Sequence, residues 1–206
     1  GLIGLGIERG DRVAIFAATC PEWVEIDLAI QAAGGIPIPI YHSNLANEAG
    51  FIMLDSESRM VWVDGEKPLA KVREALANGV ELDDGSRAPL RLDRILLMQG
   101  DAGGAEDVIT LQELRRRGRE DRAALAEVDR RVAAIQRDDL ATIVYTSGTT
   151  GSPKGVVQTQ NNHLSMVENV STIALVEPDD VDFFFLPLAH SFARFIAYYG
   201  IYVGSL

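Results

Sequence analysis

The chain has 206 residues, of which 47% are hydrophobic and 24% charged, a balance that suits a globular core and excludes a largely disordered polypeptide. Nineteen basic side chains stand against 30 acidic ones, and the formal net charge of -11 repels phosphate backbones at long range, so nucleic acid is not an expected partner. A single cysteine, Cys20, excludes an internal disulfide and matches no zinc spacing; it is expected as a small packed residue closing an apolar strand, and a reducing cytoplasm fits best.

The N-terminal stretch GLIGLGIERGDRVAIF has no basic leader and reads as a chain that begins partway through a longer one. No run reaches the roughly 18 apolar residues of a membrane-spanning helix. Asp11 to Ala17 reads as a strand, and TCPEWVEIDLAIQAAGG as a helix with Thr19 as cap, Pro21 in its first turn and Gly34 as stop. Ile36 to Ile40 (IPIPI) carries two prolines that cannot donate to a ladder, which predicts an edge strand or an extended segment. Phe51, Ile52 and Leu54 suit a short helix within Asn47 to Ser58, and Met60 to Val63 a strand. Glu66 to Ala77 follows as a helix in which Lys71 and Glu74 are spaced for contact. NGVELDDGSRAPL and GDAGGAED read as loops on either side of a strand from Arg94 to Gln99. Two charged helices are predicted over Thr110 to Arg117 and Asp121 to Gln136, with Arg115 to Arg117 as a solvated face rather than a nucleic-acid patch. This alternation predicts an α/β fold, a mostly parallel sheet flanked by helices on both faces.

DDLATIVYT then reads as a buried strand ending near Thr146, GVVQT as a second strand, and QNNHLSMVENVSTIAL as a helix capped by Asn161 or Thr159. Between the strands lies YTSGTTGSPKGV, Tyr145 to Val156. Gly148 and Gly151 admit close approach to backbone N–H groups, and Thr146, Ser147, Thr149 and Thr150 add hydroxyls, a composition suited to phosphate oxygens. Lys154 adds a mobile positive charge and Pro153 stiffens its approach. A Walker A loop is excluded, because Lys154 sits between Pro153 and Gly155 and the next element is a strand. A flexible linker is the bland alternative, and the apolar strands tight on either side argue against it.

YTSGTTGSPKGVV resembles the phosphate-binding signature of the adenylate-forming superfamily, which includes acyl-CoA synthetases, peptide-synthetase adenylation domains and beetle luciferases. GIERGDRVAIFAATCPEWVEIDLAIQAAGGIPIPIY is similar to the early part of the large N-terminal domain of such enzymes, and DVDFFFLPLAHSFARF resembles a later motif bordering the acyl pocket. Within the superfamily, LPLAHSFAR is most similar to long-chain fatty acid–CoA ligases, whereas Gln160 stands where many relatives carry histidine.

The resemblance implies that residues 1–206 form part of an AMP-binding N-terminal domain, with the C-terminal domain and the adenine, ribose and acidic metal-binding segments absent. It implies a fatty acid, ATP and CoA as substrates, with Mg²⁺ accompanying ATP. Thr146, Ser147, Gly148, Thr149, Thr150, Gly151 and Lys154 would hold the phosphates, Lys154 would assist catalysis, and Thr146 would lie near the metal. His190, read as ending a strand FFFLPLA, and Phe192 would face the acyl and adenylate pocket, with no general-base role for His190. His42 and His163 are expected at surface or cap positions. The chain alone is expected to lack turnover, to expose cut edges that favour dimers, and in its parent to leave peripheral membrane contact open. The alternatives are a truncated phosphate-binding module, or an adenylating enzyme for an aryl or amino acid.

Overall fold

The computed structural model describes residues 1–146, 151–173, 176–181 and 183–205. After a 3-10 turn, Ile3–Leu5, the elements alternate: β1 (Arg12–Ala17), α1 (Pro21–Ala32), β2 (Ile36–Tyr41), α2 (Ala46–Asp55), β3 (Met60–Val63) and α3 (Glu66–Asn78). A short hairpin, β4 (Val80–Glu81) and β5 (Arg87–Ala88), precedes β6 (Arg94–Leu97), β7 (Val108–Thr110), α4 (Leu111–Glu120) and α5 (Arg122–Ala133). The chain continues through β8 (Leu140–Thr146), β9 (Lys154–Thr159), α6 (Gln160–Ser171) and α7 (Ser191–Val203).

Five strands form a parallel sheet in the order β2-β1-β3-β6-β7. Its period-two alternation divides the core. Val13, Ile15, Met60, Trp62 and Leu96 pack with Trp23, Ile26 and Ile30 of α1 and with Leu111 and Leu114 of α4. Ala14, Phe16, Val61, Val63 and Ile95 face the other way, onto Ile52 and Met53 of α2 and Val72 and Ala75 of α3. The predicted α/β architecture, a mainly parallel sheet with helices on both faces, is therefore the observed one.

The prolines of β2 decide what lies beyond it. Ile36 N–H donates to Asp11 O at 2.8 Å, so Pro37 and Pro39 alternate to the outward edge, where they have no N–H to offer. β8 runs alongside without joining the ladder: it pairs antiparallel with β9, and its Thr142 hydroxyl donates to Pro37 O at 2.7 Å. The hairpin is thus docked on the sheet's edge.

Several expectations are corrected. Thr19 does not cap α1, whose N-cap is Cys20; the Thr19 hydroxyl donates to Leu186 O and accepts Leu188 N–H, each at 3.1 Å. Lys71 donates to the carbonyls of Asn44 at 2.6 Å and His42 at 3.3 Å instead of meeting Glu74. The segment read as a loop from Asn78 contains β4 and β5, and the three-residue β7 follows the second loop. FFFLPLA is not a strand among its described residues; it is irregular, and His190 after it is the N-cap of α7. His163 is not at the surface but half-buried within α6. The arginine run is solvated as expected, Arg115 pairing with Glu25, Arg116 with Glu113 and Glu120, and Arg117 with Glu113.

Candidate functional site

After a register shift between Leu140 and Thr142, β8 and β9 pair continuously, so Thr146, the last residue of β8, stands opposite Lys154, the first of β9. Both are exposed at the mouth of the turn. Ser147, Gly148, Thr149 and Thr150, named from the sequence as phosphate ligands, lie outside the described residues. Gly151 resumes the chain with φ of 91°, a left-handed conformation that a side chain would strain. Beside it, Asp83 from the β4–β5 turn accepts the Ser152 hydroxyl at 2.7 Å and the Ser152 N–H at 3.3 Å, tethering the exit of the turn.

The base of the turn is anchored from below. Tyr145 is buried on the core and its hydroxyl donates to Asp55 Oδ2 at 2.6 Å; burial, with that carboxylate adding to it, pushes the phenol well above its ordinary range. Opposite in register is Gly155, where a Cβ would come within 2.8 Å of Ile143 Cγ2 and 3.2 Å of Tyr145 Cζ. Glycine before the valines of β9 is therefore a packing requirement of Tyr145, which holds the strand end at one height.

Thr146 opens onto a cavity of about 370 Å³ that Tyr41, Val144, Tyr145, His190 and Ser191 complete. It lies at the carboxyl ends of β2 and β8, the end of an α/β sheet where ligands are bound. Thus Thr146 and His190, 44 positions apart, share one cleft. His190 Nδ1 accepts the Phe192 N–H at 3.2 Å, which in the neutral ring places the proton on Nε2 as a donor. Phe192 does not line this cleft; it is 52% exposed and tilts over Phe195 with ring centroids 6.3 Å apart. A separate cavity of about 320 Å³ at the amino ends of β1 and β2 has Arg9, Gly34, Arg131 and Gln160 in its walls. Its arginines are already engaged, Arg9 with Asp139, and Arg131 with Glu127 and the carbonyls of Ile7 and Ala33, so it serves as a structural joint.

The sequence reading missed Tyr41 and Ser191, which only the docking of β8 on β2 and the start of α7 bring to the cleft. It also missed Asp27 and Arg194, which form a buried ion pair at 2.7 Å. Asp27 carried a signal, being the one charge on the helical stripe Trp23, Ile26, Asp27, Ile30. His163 lies edge-on to Tyr198 with centroids 5.3 Å apart, and burial, then the nearby Arg194 charge, lowers its pKa to about 4.

A family model described as AMP-binding enzyme matches residues 1–205. The chain is 35% identical over 201 residues to Long-chain-fatty-acid–CoA ligase FadD15 of Mycobacterium bovis, covering 96% of this chain and 30% of the relative. It is 33% identical over 208 residues to Fatty acyl-CoA synthetase A of Dictyostelium discoideum, covering 99% of this chain and 29% of that one. The chain therefore spans under a third of the length of these curated relatives. The crystal structure of the N-terminal domain of FACL13 from Mycobacterium tuberculosis superposes with a TM-score of 0.71 at 26% identity, over 99% of this chain and 44% of that domain. With the family's model matched almost end to end over this sheet and its appended hairpin, the chain belongs to the AMP-binding enzyme family.

Proposed function

We propose that this chain supplies the phosphate-gripping part of the adenylation site of a cytoplasmic, ATP-dependent long-chain fatty acid–CoA ligase and works within a longer polypeptide. The observation that carries the reading is the placement of Thr146 opposite Lys154 at the mouth of the turn, with Thr146 sharing a cleft with His190. In the proposed reaction a fatty carboxylate oxygen bonds to the α-phosphorus of ATP while the bond to the β-phosphate oxygen breaks. Acyl-adenylate and pyrophosphate result, and the CoA thiol then attacks the acyl carbon and releases AMP.

The turn would take the β- and γ-phosphates. By their composition, the amides and hydroxyls from Thr146 through Gly151 would supply donors for a departing polyanion, and the Lys154 ammonium would neutralise the charge that grows on it. His190 Nε2–H and the aromatic wall of Tyr41 and Tyr145 would border the carboxyl end of the acyl group. Among the described residues no group of three or more His, Cys, Asp or Glu side chains could hold a metal. Mg²⁺ carried on the nucleotide's phosphates would supply charge withdrawal there, with the Thr146 hydroxyl as a neighbouring oxygen.

The test is ATP–pyrophosphate exchange in the full-length protein. Palmitate should drive exchange, and Lys154→Ala should slow it by about 10²-fold, the scale of losing one preorganised stabilising group. Exchange driven by acetate, an aryl acid or an amino acid and not by palmitate would overturn the fatty-acid assignment.

A further inference from the structure

The inner side of α7 carries a polar cluster that the phosphate chemistry leaves unexplained. Arg194 and Asp27 side chains are each 1% exposed. Arg194 Nη2 donates to Asp27 Oδ1 at 2.7 Å and to the Tyr198 hydroxyl at 3.0 Å, and Nη1 donates to Thr142 Oγ1 at 2.8 Å. The Tyr198 hydroxyl donates to the second oxygen of Asp27, and Gln31 Nε2 donates to that hydroxyl at 3.0 Å. Gln160 Nε2 reaches Gln31 Oε1 at 3.0 Å, bringing in α6, while the guanidinium lies 5.6 Å from the Trp23 ring. Burial pushes the Asp27 carboxyl up against the pull of Arg194; burial is also the largest single influence on the guanidinium and opposes its charge, but Asp27 and Tyr198 together outweigh it and keep Arg194 charged.

Stability is a weak reason for such a pair. Taking both charges out of water costs about as much as their attraction returns, and apolar residues of similar volume often serve as well. Direction is what an apolar side chain could not supply. The planar fork fixes three partners at once: α1 through Asp27, β8 through Thr142, and its own helix through Tyr198. One branch of this fork, and the backbone of the residue that carries it, lead to the cleft. Thr142 lies one stretch of β8 before Thr146, and Arg194 N–H donates to His190 O at 3.2 Å.

We infer that Arg194 is a positioning residue of the adenylation site: its fork on Asp27 and Thr142 sets the start of α7, and with it His190 and Ser191, at a fixed separation from Thr146. The inference rests on the ligase reading and adds to it a determinant of rate that touches neither nucleotide nor acid.

The experiment compares ATP–pyrophosphate exchange and thermal unfolding in the full-length protein for the wild type, Arg194→Lys and the double variant Asp27→Leu/Arg194→Met. Arg194→Lys keeps the charge and loses the fork; kcat should fall about 10²-fold, the cost of a misplacement of roughly 1 Å, with the KM for ATP within about twofold. The double variant leaves no unpaired buried charge, so its Tm should return to near the wild-type value while kcat stays low. Recovery of kcat together with Tm in the double variant, or an unaltered kcat in Arg194→Lys, would overturn the inference alone. A wild type that shows no exchange with any carboxylate overturns the ligase reading and the inference with it.

Discussion

His163 sits within α6 with its ring nearly perpendicular to that of Tyr198, and among the described residues its buried Nε2 has no hydrogen-bond partner. Its pKa of about 4, set first by burial and then by Arg194, contrasts with the value near 6.5 that an unfolded chain would show. Between these values the unfolded state binds more protons than the folded one, so stability falls as pH falls through this window. Thermal melts from pH 7 to pH 5 should therefore show a declining Tm, and His163→Gln should flatten the decline. Glu113 and Glu127 do not confuse the window. Hydrogen bonds from Arg116 and Arg117, and from Arg130 and Arg131, hold these carboxyls at about 2, so their contribution is present above the ordinary carboxylate value and lost below it. An equal slope in wild type and variant would count against the buried neutral histidine.

At the scale of elements, the β8–β9 hairpin depends on one missing side chain. Gly155→Ala places a Cβ against Ile143 and Tyr145, and overpacking of this kind costs about 1–3 kcal/mol. Urea denaturation should show the loss as a lower midpoint, and an unchanged midpoint would contradict the packing account. The hairpin was legible in the sequence because two β-branched runs flank a glycine-rich turn, and the sheet because its strands are apolar and separated by helical stripes. Phe183 to Ala189 misled for a physical reason. Phe183 and Phe185 are exposed while Phe184 and Leu186 pack on the core, a real period of two, yet among the described residues no partner strand meets them. Alternation reports which way side chains face, not whether backbone is paired. No element was read over Ser191 to Val203, so α7 and the capping role of His190 were missed. Asp27 could be suspected as buried, but its partner lies 167 residues away, and only the docking of α7 on α1 joins them.

Across the whole molecule, the site is built where separate elements end together: β2 brings Tyr41, β8 brings Thr146, and α7 begins with His190 and Ser191. The residues proposed to hold phosphate were singled out by composition, since hydroxyls, glycines and a lysine crowd one stretch; the far wall of the cleft was not legible, because it depends on tertiary docking. Phe183 and Phe185, 87% and 73% exposed, stack on each other with ring centroids 6.2 Å apart and leave apolar surface in water. Exposed aromatic surface of this kind invites association. The 206-residue chain alone should run larger than a monomer in light scattering, and Phe183→Ser/Phe185→Ser should shift it toward the monomer. No helix among the described residues is long and apolar enough to cross a membrane.

The proposed grip of the β8–β9 turn on a nucleotide's polyphosphate is tested most directly by comparing ATP and AMP affinities in the full-length protein by calorimetry. Lys154→Ala should weaken ATP binding about tenfold, the equivalent of one charge-assisted contact, and leave AMP binding unchanged. Equal losses for ATP and AMP, or no loss for ATP, would contradict the account.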